Sequence, residues 1–148
     1  MGLVKIKKGL NLPSTGSPKQ EISTAKTVKR VALIGDDYVG MKPTMVVQEG
    51  DTVKLGQVLF TDKKMPRVKF TAPGAGKIVE INRGEKRAFQ SVVIELSGSD
   101  EITFPSYTEN QIDSLDKEKI VEQLLESGLW TSIRRRPFSR IADPEEIP

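Results

Sequence analysis

Between Val28 and Leu96 the apolar positions fall in short runs rich in Val, Ile and Phe, each interrupted by a glycine-containing turn. Runs of this length with β-branched and aromatic enrichment predict strands rather than helices. The expected strands are Arg30–Ile34, Thr44–Val47, Gln57–Thr61, Val68–Thr71, Gly76–Asn82 and Gln90–Leu96, and the turns are Gly35-Asp36-Asp37, Glu49-Gly50-Asp51, Pro73 to Gly76 and Asn82 to Glu85. The core is expected to include Val46, Val58, Leu59, Phe70, Ile78, Val79, Val92 and Ile94. Two of the turns, Glu49-Gly50-Asp51 and Arg83-Gly84-Glu85, resemble one another, a thin sign of internal duplication.

The flanks read differently. Leu3 to Lys7 alternates apolar and basic residues, which predicts a small strand, and a polar loop rich in Ser, Thr, Pro and Gly follows to residue 27. Beyond Ser97-Gly98-Ser99-Asp100, Leu115, Ile120, Val121, Leu124 and Leu125 recur at near-helical spacing. Ser114 is the expected N-cap and Gly128 the expected stop. The stretch from Leu129 to Pro148 shows no period and reads as the opening of a further domain. The chain therefore divides into an N-terminal strand and loop (1–27), a β domain (28–98) and a linker, helix and truncated start of another domain (99–148).

Composition narrows the chemistry. The 148 residues contain no cysteine and no histidine, which removes thiolate nucleophiles, disulfides, cysteine-bound iron–sulfur clusters, the usual zinc sites and imidazole acid–base catalysis. A net charge of +3, spread over 29% charged residues and 5% aromatics, disfavours a nucleic-acid-binding module. No signal peptide or apolar run long enough to span a bilayer is evident, so the chain reads as soluble and cytoplasmic.

The carboxylates Asp36, Asp37, Glu49, Asp51 and Asp62 mostly sit in turns, where Asp hydrogen-bonds the local backbone, so they are read as structural rather than as metal or acid–base groups. Arg134-Arg135-Arg136 can be a solvated face or a grip for an acidic partner, anionic lipid or phosphate, and the neighbouring Trp130 and Phe138 favour an interface. Asp36, Tyr38 and Met41 form a second stretch of turn backbone with large side chains. Together with Trp130, Arg134, Arg136 and Phe138 they are the expected partner-facing surface. The alternative for Tyr38 and Trp130 is ordinary packing.

From Val47 to Gly84 the marks Glu49-Gly50-Asp51, Gly56-Gln57 followed by Leu59, and Ala72-Pro73 followed by Gly76 resemble the barrel-sandwich hybrid fold of biotinyl and lipoyl carrier domains. A swinging-arm carrier modified on Lys63 or Lys64 is therefore one functional reading. Against it, the arm from Gly50 to Lys63 is short, and Met65-Pro66 interrupts the descending strand, where proline cannot donate to a ladder.

A wider set of strings, KIKKGLNLP, GDDYVGMKPTM, LFTDKKMPRVKFTAPGAGK, INRGEKRAFQSVVIE and SGLWTSIRRRPFSRI, runs in order from Lys5 to Ile141 and resembles the A-type subunit of the sodium-translocating NADH:quinone oxidoreductase family. The resemblance implies the N-terminal portion of a peripheral subunit on the cytoplasmic side of the bacterial inner membrane. That subunit serves a complex passing electrons from NADH to quinone while moving Na+. It implies that flavins and iron–sulfur centres sit on partner subunits, that this portion is not catalytic alone, and that a quinone-proximal surface can lie at the interface formed by Asp36, Tyr38, Met41, Trp130, Arg134, Arg136 and Phe138. Because Gly128 to Arg134 lacks clustered glycines to admit a phosphate, and the carboxylates read as structural, no flavin, NAD or metal is expected to bind here.

Overall fold

In a computed structural model the described residues are 5, 9 and 15–146. The expected strand at Leu3 to Lys7 lies, apart from Lys5, outside them. The chain from β1 (Arg30–Ile34) to β7 (Phe89–Leu96) builds two antiparallel sheets. One has the order β1, β7, β6 (Gly76–Arg83) and β3 (Thr52–Val53). The other has the order β2 (Pro43–Met45), β4 (Val58–Asp62) and β5 (Lys69–Thr71). The mainly β architecture expected from the sequence is the one observed, with one added strand, β3, too short for a periodic signal.

The two sheets close over a core of Val53, Leu59, Phe60, Val68, Phe70, Ile78, Val92 and Ile94, all nearly inaccessible to water. Fully burying a side chain of this size is worth about 1.5–3 kcal/mol relative to exposure, so these residues dominate the fold's stability. Phe60 stacks on Phe70, with ring centroids 4.5 Å apart and planes 17° from parallel, and meets Phe89 edge-on at 5.1 Å.

Three expected core residues behave differently, each for a reason of register. Val46 is 62% exposed, because alternation past β2 turns Met45 and Val47 inward and Val46 outward. Val79 is half-buried because it is the extra residue of a bulge: Ile78 pairs with Ile94 while Glu80 pairs with the adjacent Val93. Val58 is half-buried beside a second irregularity, between Val58 and Phe60 in the β4–β5 pairing, where the consecutive Leu59 and Phe60 are both buried. The two similar glycine turns also part company. Gly50 has φ +94° and donates its N–H to Ile78, whereas Gly84 has φ −91° and donates to Ala88, so the likeness of sequence is not a likeness of conformation.

Beyond the sheets lie the short α1 (Glu109–Ile112), started by a reciprocal capping box of Thr108 and Gln111, and α2 (Lys117–Glu126). Ser114 does not cap α2. Its hydroxyl donates to the Gln111 carbonyl, and Asp116 occupies the N-cap. The helix ends at Gly128 as expected, in a left-handed conformation with φ +78°.

A 3₁₀ turn (Leu129–Ser132) and a small hairpin of β8 (Arg134–Arg135) and β9 (Arg140–Ile141) follow. The hairpin has no counterpart among the expected elements, because two-residue strands carry no alternation. Leu125, Trp130 and Ile141 from this C-terminal part join the same hydrophobic cluster as Phe60 and Phe70. None of the described helices is long and apolar enough to cross a membrane.

Gly128 is where the C-terminal part is pressed against β5. A Cβ there would stand 2.5 Å from Thr71 Oγ1, and the Thr71 hydroxyl donates to the Ser127 carbonyl at 3.2 Å. Lys69 on β5 forms an ion pair with Glu126 near the end of α2. Gly128→Ala therefore combines a disfavoured φ with a steric overlap, and urea unfolding is expected to show a loss of about 2–4 kcal/mol. An unchanged midpoint would show that this approach is not part of the folded state.

Candidate functional site

The site begins with a close approach. A 3₁₀ turn (Gly35–Asp37) follows β1, and a Cβ on Gly35 would stand only 2.3 Å from the Phe89 carbonyl oxygen, so only glycine lets the turn rest on β7. The turn is closed by the Tyr38 N–H donating to the Gly35 carbonyl at 3.1 Å, and the next by the Met41 N–H donating to the Tyr38 carbonyl at 3.1 Å. These bonds aim the Tyr38 ring at the core, where it meets Phe70 edge-on at 4.8 Å and 81°.

The Tyr38 ring also receives the C-terminal hairpin. The Arg134 guanidinium carbon lies 5.0 Å from the ring centroid. Its Nη1 donates to the Asp37 carbonyl at 3.1 Å and to the Ser139 carbonyl at 3.2 Å. One arginine thus ties the turn after β1 to the tip of the β8–β9 hairpin through a cation–π contact worth about 0.5–2 kcal/mol and two charge-assisted hydrogen bonds.

The structure brings most of the expected surface residues together. Met41, Arg136 and Phe138 border one cleft of ≈ 430 Å³, which Asp62 and Lys64 also line, and Phe138 projects from the hairpin with 70% of its surface exposed. Asp36 is exposed and faces a neighbouring cleft of ≈ 770 Å³.

Trp130 is the correction. It is only 4% exposed, and its indole N–H donates to the Ala142 carbonyl at 2.9 Å, so it belongs to the core and not to the surface. An indole satisfied by a nearby carbonyl can be buried without an orphan donor, and sequence alone does not show where that carbonyl lies. Asp62 is the opposite case: a turn carboxylate in sequence, yet 2% exposed, its Oδ1 accepting the Lys64 N–H at 2.9 Å. That bond holds the chain leaving β4, where Lys63 and Lys64 are exposed.

Sequence reasoning does not single out Lys42, Arg83, Lys86 and Arg87, which border the cleft facing Asp36. They come from two turns distant in sequence, and scattered basic residues carry no local pattern.

Burial pushes the Tyr38 phenol above its ordinary value of 10.0; Arg134 pulls it down and Asp37 pushes it up, both by smaller amounts. A pKa raised on folding means that the folded state holds the proton more tightly. The resulting stability is present below pH 10.0 and is lost as pH rises through the folded value. Stability measured against pH should therefore fall above about pH 10 in the parent and fall less steeply in Tyr38→Phe; parallel curves would contradict the burial.

Comparison with known proteins supplies the family. The family model of the NqrA N-terminal barrel-sandwich hybrid domain matches residues 4–97, and that of the NqrA second alpha/beta domain matches residues 115–148. The A-type subunit of the Na(+)-translocating NADH-quinone reductase of Pseudomonas aeruginosa strain UCBPP-PA14 is 57% identical over 146 residues, covering 99% of this chain and 33% of that protein. The proteins of the same name from Vibrio campbellii and Marinomonas sp. are 58% and 53% identical, covering 94% and 99% of this chain. They are matched over 31% and 33% of their own lengths, so the chain spans about a third of the curated relatives it matches. With its half-barrel β sheets matched by the N-terminal domain and its relatives above half identity across nearly every residue, the chain belongs to the NqrA family.

Proposed function

We propose that this chain is the N-terminal portion of a peripheral subunit of a Na+-translocating NADH:quinone oxidoreductase, seated on the cytoplasmic side of the bacterial inner membrane. On this reading it serves as an assembly module and borders the quinone. Residues 28–98 are the docking scaffold, 1–27 a leading segment, and 99–148 the linker, helix and start of the next domain.

The observation that carries the reading is the convergence of Tyr38 and Met41 with Arg134, Arg136 and Phe138, from opposite ends of the chain, around one exposed aromatic tip. Phenylalanine and arginine side by side are the residue types enriched where proteins meet, and a rigidly held arginine can also polarise a carbonyl oxygen. A second cleft of ≈ 510 Å³, lined by Leu33, Tyr38, Phe70, Ile102 and Phe104 among others, offers apolar walls on the inner side of the same tyrosine. Tyr38 thus stands between an apolar recess and a cationic surface, which suits a planar ring bearing carbonyl oxygens.

Flavins and iron–sulfur centres are assigned to partner subunits on the same reading. In the segment Gly128 to Arg134 the N–H groups of Gly128, Thr131 and Ile133 donate to the carbonyls of Leu125, Gly128 and Trp130, which leaves them unable to cradle a flavin phosphate. The arrangement also bears on the carrier reading: intact mass of the protein from its native source should equal the unmodified chain, and a lipoyl or biotinyl adduct on Lys63 or Lys64 would replace the assembly role with a swinging arm.

The decisive variants are Phe138→Ala and Arg136→Gln in the assembled complex. Phe138→Ala is expected to weaken association with partner subunits by about 1–2 kcal/mol, read as loss of the subunit on co-purification in rising salt. Normal assembly with reduced quinone reductase activity would favour the quinone-proximal role over the scaffold role. Normal assembly together with normal turnover in both variants would remove the surface assignment.

A further inference from the structure

The cleft facing Asp36 has an uneven charge that the near-balanced chain as a whole does not share. Lys42 stands on one wall, and Arg83, Lys86 and Arg87 stand on the other, at the β6–β7 hairpin end; Asp36 is the only carboxylate among the described lining residues. Some cations elsewhere are paired, Arg30 with Glu80 and Glu95, Arg67 with Glu145, and Arg135 with Glu146, whereas what sets this cleft apart is four cations converging on one recess. Among the described residues, none of the four cleft cations forms an ion pair with a carboxylate.

The hairpin end is also built in an unusual way. Lys86 and Arg87 are consecutive residues with φ of +53° and +61°, a conformation that residues bearing a Cβ adopt rarely. The turn holds it by donating the Arg87 N–H to the Gly84 carbonyl and the Ala88 N–H to the Glu85 carbonyl. Arg83 Nη1 reaches back to the Arg87 carbonyl at 3.4 Å, folding its guanidinium over the same turn. Across the gap, the approach of Gly35 to Phe89 fixes the start of the segment that carries Lys42.

We infer that this cleft is a binding site for a phosphate-type oxyanion, with Lys42 on one side and Arg83, Lys86 and Arg87 on the other. Guanidinium forks present paired N–H donors to phosphate oxygens, and two ammonium groups supply mobile positive charge at the rim. Asp36 opposes the ligand and sets an upper limit on its affinity. Its four cations lie outside the expected partner-facing surface, while Asp36, Tyr38 and Met41 line both. The oxyanion can be carried by a small phosphate in solution or by the headgroup of an anionic phospholipid, and the two are separable.

The test uses the whole 148-residue chain at constant ionic strength, adding pyrophosphate against a chloride control and following backbone amide shifts. Shifts confined to residues 35–43 and 83–89 are expected with pyrophosphate and not with chloride. Lys86→Gln/Arg87→Gln should weaken binding about tenfold or more, and Asp36→Asn should tighten it several-fold. Lys117→Gln/Lys119→Gln on α2 should leave it unchanged. In the second arm, flotation with phosphatidylglycerol vesicles, compared with phosphatidylcholine vesicles, identifies the source. Retention that Lys86→Gln/Arg87→Gln abolishes assigns the site to the lipid headgroup, whereas pyrophosphate binding without retention assigns it to a soluble phosphate. Shifts scattered over all basic surfaces, insensitivity to Lys86→Gln/Arg87→Gln, or absence of both pyrophosphate binding and retention would overturn the inference.

Discussion

The aromatic column Phe60, Phe70, Tyr38, capped by Arg134, is the contact on which the rest of the arrangement depends. Phe60 and Phe70 are core residues of the three-stranded sheet, so their positions are set by burial. Tyr38 lies on a turn with no ladder of its own and is oriented by packing on Phe70. Arg134 then transmits that orientation to the C-terminal hairpin through the carbonyls of Asp37 and Ser139. Without the ring, the guanidinium loses its platform between the turn after β1 and the hairpin that carries Phe138. The exposed surface around Phe138 is thus fixed by the core at second hand, which keeps large side chains exposed without leaving them adrift.

The same economy governs the contacts with β5 and β7. Gly35 and Gly128 each let backbone approach where a methyl group would not fit, one against Phe89 and the other against Thr71. Between them they bring two loop segments, far apart in sequence, onto neighbouring edges of one core. The ion pairs around these junctions are mostly exposed and each is worth at most about 1 kcal/mol, so apolar burial and close packing, not surface charge, hold the parts in place.

Much of this is legible in the sequence, and the rest is hidden for physical reasons. Strands whose apolar residues alternate or cluster, such as β1, β6 and β7, can be read to within a residue or two, because burial on one face writes itself directly into the pattern. Leu59, Phe70, Ile78, Val92 and Ile94 are readable as core for the same reason. Val79 is not, because a bulge breaks the period without any local residue announcing it, and the β8–β9 hairpin escapes because two residues cannot express a period at all. In the candidate site, Tyr38 and Arg134 each stand out in the sequence, yet their contact is a product of tertiary packing. Trp130 reads as either an interface or a packing residue, because an aromatic beside arginines resembles an interface and the Ala142 carbonyl that makes its burial tolerable lies beyond a hairpin the sequence does not reveal.

The chain belongs to the NqrA family and spans about a third of the curated relatives it matches. The C-terminal hairpin is held on the half-barrel by the Tyr38–Arg134 contact, which fixes the exposed surface that carries Phe138. A double-mutant cycle with Tyr38→Ala, Arg134→Ala and the double variant, read by urea unfolding, measures this most directly. A coupling of about 0.5–2 kcal/mol is the predicted result; strictly additive losses would contradict the account and leave the hairpin anchored by Trp130 and Ile141 alone.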